Sequence, residues 1–315
     1  MNVAFFASDA IALKSIEFLR ENHTLSAIVS NPDRPKGRGK KLSPNEVSQW
    51  ALDNGVELMR PEGKPDDTVV ARLRELGVEL IVVMAYGHIL KDNILNYGKY
   101  PCLNLHASIL PELRGASPIE TAIALGKKIT GVSLMAISPA MDEGDVADVL
   151  KVQIEESDTS KSLREKMAIA SAKLLEKNLP LLASGQLNFV PQNHANATYA
   201  RKLAKDDMFL DFRQSAETLR NRVRAFGAGI FVYGADVIKV FDVSVEAVQT
   251  QNTNVGKVLE TSENGLKIAC SQGVLVAKTL QKPCAKAMSA KDFFAGYKMN
   301  VGEILQSSEN RPLLR

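Results

Sequence analysis

Five consecutive apolar residues, Leu80-Ile81-Val82-Val83-Met84, leave this chain little freedom of fold class. A strand with one wet face alternates polar and apolar side chains; one that is apolar at every position must be covered on both faces, the situation of a central strand in a parallel sheet. The flanking sequence supplies the rest of such a sheet. Asn2–Ala7, Leu25–Ser30, Val56–Met59, Cys102–His106 and Gly131–Ile137 read as further strands. Between them, helical spacing at Ile11, Ser15/Ile16 and Leu19, then Asn45–Asn54, Asp66–Leu76 and Pro118–Leu125, predicts the connecting helices, the last with proline in its first turn. This is the pattern of an α/β domain with a mostly parallel sheet.

The texture changes after about residue 185. Gly185–Ala204 lacks periodicity and is expected to run over the surface as a connector. A helix over Ser215–Ala225 then precedes short β-rich runs at Ile230–Val232, Val237–Val245, Gly256–Leu259, Leu266–Cys270 and Val274–Leu280, a spacing that predicts a small antiparallel barrel, closed by a helix over Ser289–Tyr297. Because single cores stop growing at roughly 250–300 residues, the 315 residues are expected to form two domains. These are residues 1–185 and 205–315, joined by a linker at 186–204.

Several activities are excluded or demoted by missing motifs. The turn after the first strand, Phe6-Ala7-Ser8-Asp9-Ala10, has no glycine, so the dinucleotide-binding fingerprint is missing. There is no phosphate-binding G-x-x-x-x-G-K-[ST] loop, no G-x-S-x-G nucleophile elbow and no H-E-x-x-H zinc helix. Three cysteines at wide spacing suggest neither a disulfide framework nor a zinc site, and no metal is expected. No apolar run reaches the ~20 residues a membrane span needs, and Met1-Asn2-Val3-Ala4 begins a strand, so a cytoplasmic protein is expected. The net charge of +3 is too mild to declare a polyanionic partner by itself.

Among four histidines, His23, His88 and His194 have no partner at a suggestive spacing. His106 does. Side chains alternate along a strand, so Asn104 and His106 share one face at the carboxyl end of their strand, where open α/β sheets bind ligands. The turn Met141-Asp142-Glu143-Gly144-Asp145 follows the next strand and is placed to bring a carboxylate beside the imidazole. An amide donor, a titratable imidazole and a carboxylate suit acyl transfer between nitrogens. Asn104 would stabilise an oxyanion, His106 would relay a proton or join Asn104 in holding the oxyanion, and Asp142 would orient the ring or itself handle the proton.

The longer string Asn104-Leu105-His106-Ala107-Ser108-Ile109-Leu110-Pro111, then Arg114-Gly115-Ala116-Ser117-Pro118-Ile119, Gly131-Val132-Ser133 and Met141-Asp142-Glu143-Gly144-Asp145, resembles the formyltransferases that use 10-formyltetrahydrofolate. The resemblance implies that Asn104, His106 and Asp142 are the catalytic set. It also implies that Ser108, Ile109, Leu110 and Pro111, with Ala85, Tyr86 and Gly87, border the folate co-substrate. Further segments resemble the members of that family that act on methionyl initiator tRNA: Asn31–Leu42, Val82–Gly87, Ala200–Leu203, Leu210–Phe212, Arg224–Phe226 and Lys286–Ala290. This implies a Rossmann-like catalytic domain followed by a barrel of the OB type, working as a monomer. Three departures stand out: Ala7-Ser8-Asp9 for Gly-Thr-Pro, Glu112-Leu113 before Arg114 where Arg-Trp is frequent, and Gly227-Ala228-Gly229-Ile230 for Asn-Pro-Trp-Pro.

The charge distribution agrees with an RNA partner. Arg34, Lys36, Arg38, Lys40 and Lys41 are interrupted by glycines and Pro35, which reads as a mobile basic loop suited to phosphate contacts. Residues 205–315 carry 15 Lys+Arg against 12 Asp+Glu, whereas the first 204 are balanced at 24 each. Arg220, Arg222 and Arg224 on one helix, with Lys278, Lys282, Lys286 and Lys291, are expected to line an RNA groove. Formylation of an amino sugar or a ribonucleotide amine, folate hydrolysis, and nucleic-acid binding by a degenerate enzyme stay open as alternatives.

Overall fold

The computed structural model describes residues 1–36, 39–247 and 255–315, arranged as two compact units. The first comprises 1–115, 129–153 and 163–199; the second comprises 116–128, 154–162 and 200–315.

In the first unit, β1 (Asn2–Phe6), α1 (Leu13–Asn22) and β2 (Thr24–Val29) are followed by a hairpin of β3 (Arg34–Lys36) and β4 (Lys41–Ser43). Then come α2 (Glu46–Asp53), β5 (Glu57–Met59), α3 (Asp67–Glu75), β6 (Leu80–Val83), α4 (Asp92–Leu95), β7 (Leu103–His106) and β8 (Arg114–Gly115). The chain continues through α5 (Pro118–Ala124), β9 (Ile129–Ala136), β10 (Val146–Gln153), α6 (Ser160–Ala183) and β11 (Tyr199–Ala200). The seven-stranded sheet has the order β10-β9-β7-β6-β1-β2-β5. Its strands β5, β2, β1, β6 and β7 run parallel, and β9 is antiparallel to both neighbours.

All four residues of β6 are buried, as the unbroken apolar run requires. On one face Ala4, Phe6, Ala27, Val29, Ile81 and Val83 form a core with Val69, Val70 and Leu73 of α3 and Ile94 of α4. The helices start where side chains satisfy their first amides. Asn45 accepts from Ser48 N–H at α2, and Asp66 from Thr68 and Val69 N–H at α3. Parallel strands share a carboxyl edge, so the segments after β1, β2, β6 and β7 all emerge along one side of the sheet.

In the second unit α5 packs on α7 (Ala216–Phe226). The strands are β12 (Gly229–Tyr233), β13 (Asp236–Val240), β14 (Val243–Glu246), β15 (Val258–Ser262), β16 (Gly265–Ala269), β17 (Val274–Ala277), β18 (Thr279–Gln281) and β19 (Met288–Ser289), followed by α8 (Ala290–Gly296). They form two four-stranded antiparallel sheets, β12-β13-β18-β19 and β14-β17-β16-β15. Phe212, Leu219, Val223, Phe231, Ile238, Leu266, Leu275, Leu280 and Phe293 close one core between them. Gly229 lets the strand approach closely there: a Cβ would stand 2.8 Å from Leu210 Cδ2 and 2.9 Å from Val223 Cγ2, so those side chains would have to give way.

The structure changes three sequence expectations. Either side of Gly37 and Arg38, which lie outside the described residues, the basic segment pairs as a regular antiparallel ladder, Arg34 with Ser43 and Lys36 with Lys41. Residues 151–185, left without elements above, hold the 24-residue α6. The segment 185–204 does run largely over the surface, with Val190 bridging Val146 and Gln192 buried beneath it. The three arginines of α7 serve the fold. Arg222 is buried and donates to the Asp207 carbonyl, Arg224 donates to the carbonyls of Glu155, Glu156 and Asp158, and Arg220 pairs with Glu156 and Glu217. Burial lowers the pKa of Arg222 and of Arg224, so neither is arranged as a solvated cation for phosphate.

Cys102 and Cys270 are buried and Cys284 is exposed. Burial pushes both interior thiols up to about 12. Among the described residues no helix is long and apolar enough to cross a membrane, and no group of three His, Cys, Asp or Glu is placed to hold a metal ion.

Candidate active site

β7 ends in His106, whose side chain is only 7% exposed, and Asn104 lies two residues earlier on the same face of the strand. The imidazole Nε2 lies 2.9 Å from the Leu113 carbonyl oxygen. A carbonyl can only accept, so Nε2 carries the hydrogen and Nδ1 is left as the basic nitrogen of the neutral ring. Nδ1 faces Asp142 Oδ1 at 3.6 Å. That is too long for a direct hydrogen bond, but close enough for a carboxylate to stabilise positive charge arriving on the ring. The Asn104 side chain is half-buried, and its amide has no hydrogen-bond partner among the described residues, leaving its N–H groups available to a ligand oxygen.

Asp142 is held from two sides. Its Oδ2 accepts the Gly115 backbone N–H at 2.8 Å, and its backbone carbonyl accepts from Gln192 Nε2 at 2.9 Å. Gln192 Nε2 also donates to the Gly144 carbonyl at 2.7 Å. The turn is tight enough to need Gly144, since a Cβ there would lie 1.8 Å from the Ala136 carbonyl oxygen. Asp142 and Leu113 both sit in the left-handed region, with φ of 55° each.

The loop after His106 folds on itself. Ser108 is buried; its hydroxyl donates to the Glu112 carbonyl at 2.6 Å, and its own carbonyl accepts from Ser133 Oγ at 2.7 Å. Leu110 is buried, its N–H donating to Ser133 Oγ, while Ile109 and Pro111 are partly exposed. After β6, Ala85 and Gly87 are exposed with positive φ, but the Tyr86 ring is buried edge-on against Phe6. Burial raises its phenol to about 12. Of the expected folate-bordering residues, Ser108, Leu110 and Tyr86 therefore direct their side chains into the protein, and the wall they offer is main chain plus Ile109 and Pro111.

Further along the carboxyl edge a polar chain joins segments distant in sequence. Asn31 Oδ1 bonds His88 Nε2 at 2.7 Å, Asn31 Nδ2 donates to the Tyr86 carbonyl, and Asn31 N–H donates to Ser8 Oγ. Ser30 and Asn45 continue it. A cavity of about 240 Å³ opens here, lined by Ser8, Asn31, Arg34, Ser43, Asn45 and Glu46 among others. Asp9, at one of the departures named above, accepts the Ile11 N–H and pairs with Arg164. Arg34, Lys40 and Lys41 are exposed on the hairpin; nothing is described of the Lys36 side chain, and Arg38 lies outside the described residues. Sequence reasoning missed Arg114, Gln192, Asn31 and His88 as site residues, because each finds such a partner 50 or more residues away.

Residues 1–179 match the formyl transferase family and residues 202–298 match the formyl transferase C-terminal domain. A methionyl-tRNA formyltransferase of Acetivibrio thermocellus is 35% identical over 97% of this chain and 99% of its own length. One of Sulfurihydrogenibium sp. is 35% identical over 96% and 99%. Among solved structures, the N-formyltransferase of Helicobacter canadensis, in complex with folinic acid and dTDP-3-aminofucose, superposes with a TM-score of 0.65 at 18% identity. It covers 89% of this chain and 98% of that one. HypX from Aquifex aeolicus, in complex with tetrahydrofolic acid, superposes at 0.64 with 15% identity over 98% of this chain and 51% of that one; these two likenesses concern the fold alone. The chain belongs to the formyl transferase family, matched over residues 1–179 and in its C-terminal domain, and along nearly the full length of relatives named methionyl-tRNA formyltransferase.

Proposed function

We propose that this chain moves the formyl group of 10-formyltetrahydrofolate onto the α-amine of methionyl initiator tRNA in the cytoplasm, with residues 1–185 as the catalytic domain, 186–204 as the linker and 205–315 contributing tRNA contacts. The observation that carries the chemistry is the pairing of a tautomer-fixed imidazole with a carboxylate held by the Gly115 N–H, beside an amide without a hydrogen-bond partner among the described residues. The amine nitrogen forms a bond to the formyl carbon and the bond from that carbon to the folate nitrogen breaks. One proton leaves the amine and one is needed on the departing folate nitrogen, so the reaction is balanced by a single relayed proton. His106 Nδ1 takes and returns it, Asp142 stabilises the transient imidazolium, and Asn104 donates to the formyl oxygen as it gains charge. Main chain at Ala85 and Gly87, with the Ser108–Pro111 loop, borders the folate on the adjoining strand ends.

The tRNA is favoured over a small amine acceptor by the basic hairpin. It follows β2, three strand positions from β7 on the same carboxyl edge, a separation of about 14 Å at ~4.8 Å per strand. Arg34, Lys40 and Lys41, together with Lys36 and Arg38, would meet phosphates there. The deciding assay supplies 10-formyltetrahydrofolate with methionyl initiator tRNA, elongator methionyl-tRNA, free methionine, an amino sugar nucleotide or no acceptor. Transfer confined to the initiator supports the proposal. Formate release without acceptor, or transfer to the sugar nucleotide, would defeat it.

A further inference from the structure

We infer that Arg114 and Gln192 are positioning residues that hold Asp142 against His106, an assignment that rests on the catalytic reading of Asp142 given above. Three consecutive residues address the pair in turn. The Leu113 carbonyl accepts from His106 Nε2, the Gly115 N–H donates to Asp142 Oδ2, and the Arg114 side chain between them turns the other way. Arg114 is 1% exposed. Its Nε and Nη2 both donate to Gln192 Oε1, at 3.1 and 2.8 Å, and the other end of that amide donates to the carbonyls of Asp142 and Gly144. A closed loop of contacts thus runs His106–Leu113–Arg114–Gln192–Asp142 and back to the imidazole.

The guanidinium is fixed in its turn. Nη1 reaches Glu143 Oε1 at 3.0 Å and Tyr199 Oη at 2.9 Å, and the Tyr199 hydroxyl donates to the same Glu143 oxygen at 2.7 Å. The Tyr199 hydrogen bond, then the Arg114 and His194 charges, lower the Glu143 pKa, so the buried cation keeps its counter-ion. Leu113 N–H and Arg114 N–H are anchored to Thr198 by its Oγ1 and its carbonyl. Left-handed backbone is unfavourable at a non-glycine residue, and both ends of the loop, Leu113 and Asp142, adopt it. Such conformations persist where surrounding bonds over-determine them, which is what Gln192 and Arg114 supply.

Gln192→Glu separates positioning from bulk stability: the carboxylate still accepts from Arg114 but has no hydrogens for the Asp142 and Gly144 carbonyls. Gln192→Met, uncharged and similar in length, is its companion, and both are melted beside the parent so that loss of fold is distinguished from loss of position. The expected result is a fall in kcat of about 10- to 100-fold, the scale of a misplaced catalytic group, with KM for tRNA and for the folate unchanged. In the Asp142→Asn background the same substitution should change kcat by less than about twofold, because residues acting as a unit are not additive. Multiplicative losses in that background, or a parental kcat in folded Gln192 variants, would overturn the inference while leaving Asp142 catalytic. A parental kcat in Asp142→Asn alone would remove the catalytic reading, and the inference with it.

Discussion

A main-chain carbonyl decides which nitrogen of His106 can act. With Nε2–H committed to Leu113, Nδ1 alone is basic, and it points at Asp142. Replacing Asp142 by Asn keeps an acceptor for the Gly115 N–H but turns an amide donor toward Nδ1, occupying the lone pair the reaction needs. Single-turnover formylation by Asp142→Asn should therefore fall by about 10²- to 10⁴-fold, the usual weight of positioned proton transfer, with tRNA affinity near the parent's. Asn104→Ala removes one oxyanion donor and should lose about 10²- to 10³-fold in kcat. Should either variant instead weaken tRNA binding and leave kcat alone, the assignment of roles is wrong. At this scale the sequence was informative where spacing is local. Asn104 and His106 follow from strand alternation, and Asp142 from a turn one strand on. Gln192 was invisible, because a lone glutamine in a stretch without periodicity carries no signal of its partners.

The turn between β9 and β10 carries the strongest steric constraint near the site. Gly144→Ala would place a methyl 1.8 Å from the Ala136 carbonyl oxygen, so the backbone must move. A loss of at least about 1–3 kcal/mol in urea denaturation, the range for overpacking, should accompany a loss of kcat, since Asp142 rides on the same turn. Unchanged stability would mean that the turn relaxes freely. Elements defined by strong periodicity were legible from sequence: β1, β2, β6, β7, α2, α3 and α7 fall within a residue or two of expectation. α6 was not assigned. Its buried stripe mixes Leu163, Met167, Leu174 and Leu182 with Ala170, Ser171 and Asn178, and Pro180 lies inside it, so the apolar signal is diluted and a helix breaker sits near its end. β10 was missed because most of its side chains are half-exposed, which blurs the alternation a strand with one wet face would show. The α7 arginines illustrate the opposite error, charges that look like a nucleic-acid surface yet bond backbone carbonyls and carboxylates of the fold.

For the molecule as a whole, charge governs two measurable behaviours. Alanines at Arg34, Lys40 and Lys41 together should flatten the dependence of log affinity on log salt by up to about three, near one per lost phosphate contact, with kcat at saturating tRNA retained. An unaltered slope would place the RNA elsewhere. Acid should loosen the second unit. Arg201 holds the Asp207 carboxyl below its ordinary value, and Lys128 and Arg220 hold Glu156 down to about 2. Both folded pKa values lie below the unfolded ones near 4, so this stability is present above pH ~4 and is lost as pH falls through the folded values. Asp207→Asn should shrink the drop in Tm between pH 5 and pH 3; an equally steep drop would assign acid sensitivity to other groups.

The uneven burial of the three thiols gives this protein a chemical address of its own. Cys284 is open to solvent, whereas Cys102 and Cys270 hold their protons behind packed side chains. A maleimide dye offered to the native protein should attach once, between Lys282 and Lys286, and two further equivalents should be taken up only on unfolding. That stoichiometry would yield a singly labelled, cysteine-intact enzyme with its reporter among those lysines, suited to following RNA arrival by fluorescence without engineering the chain.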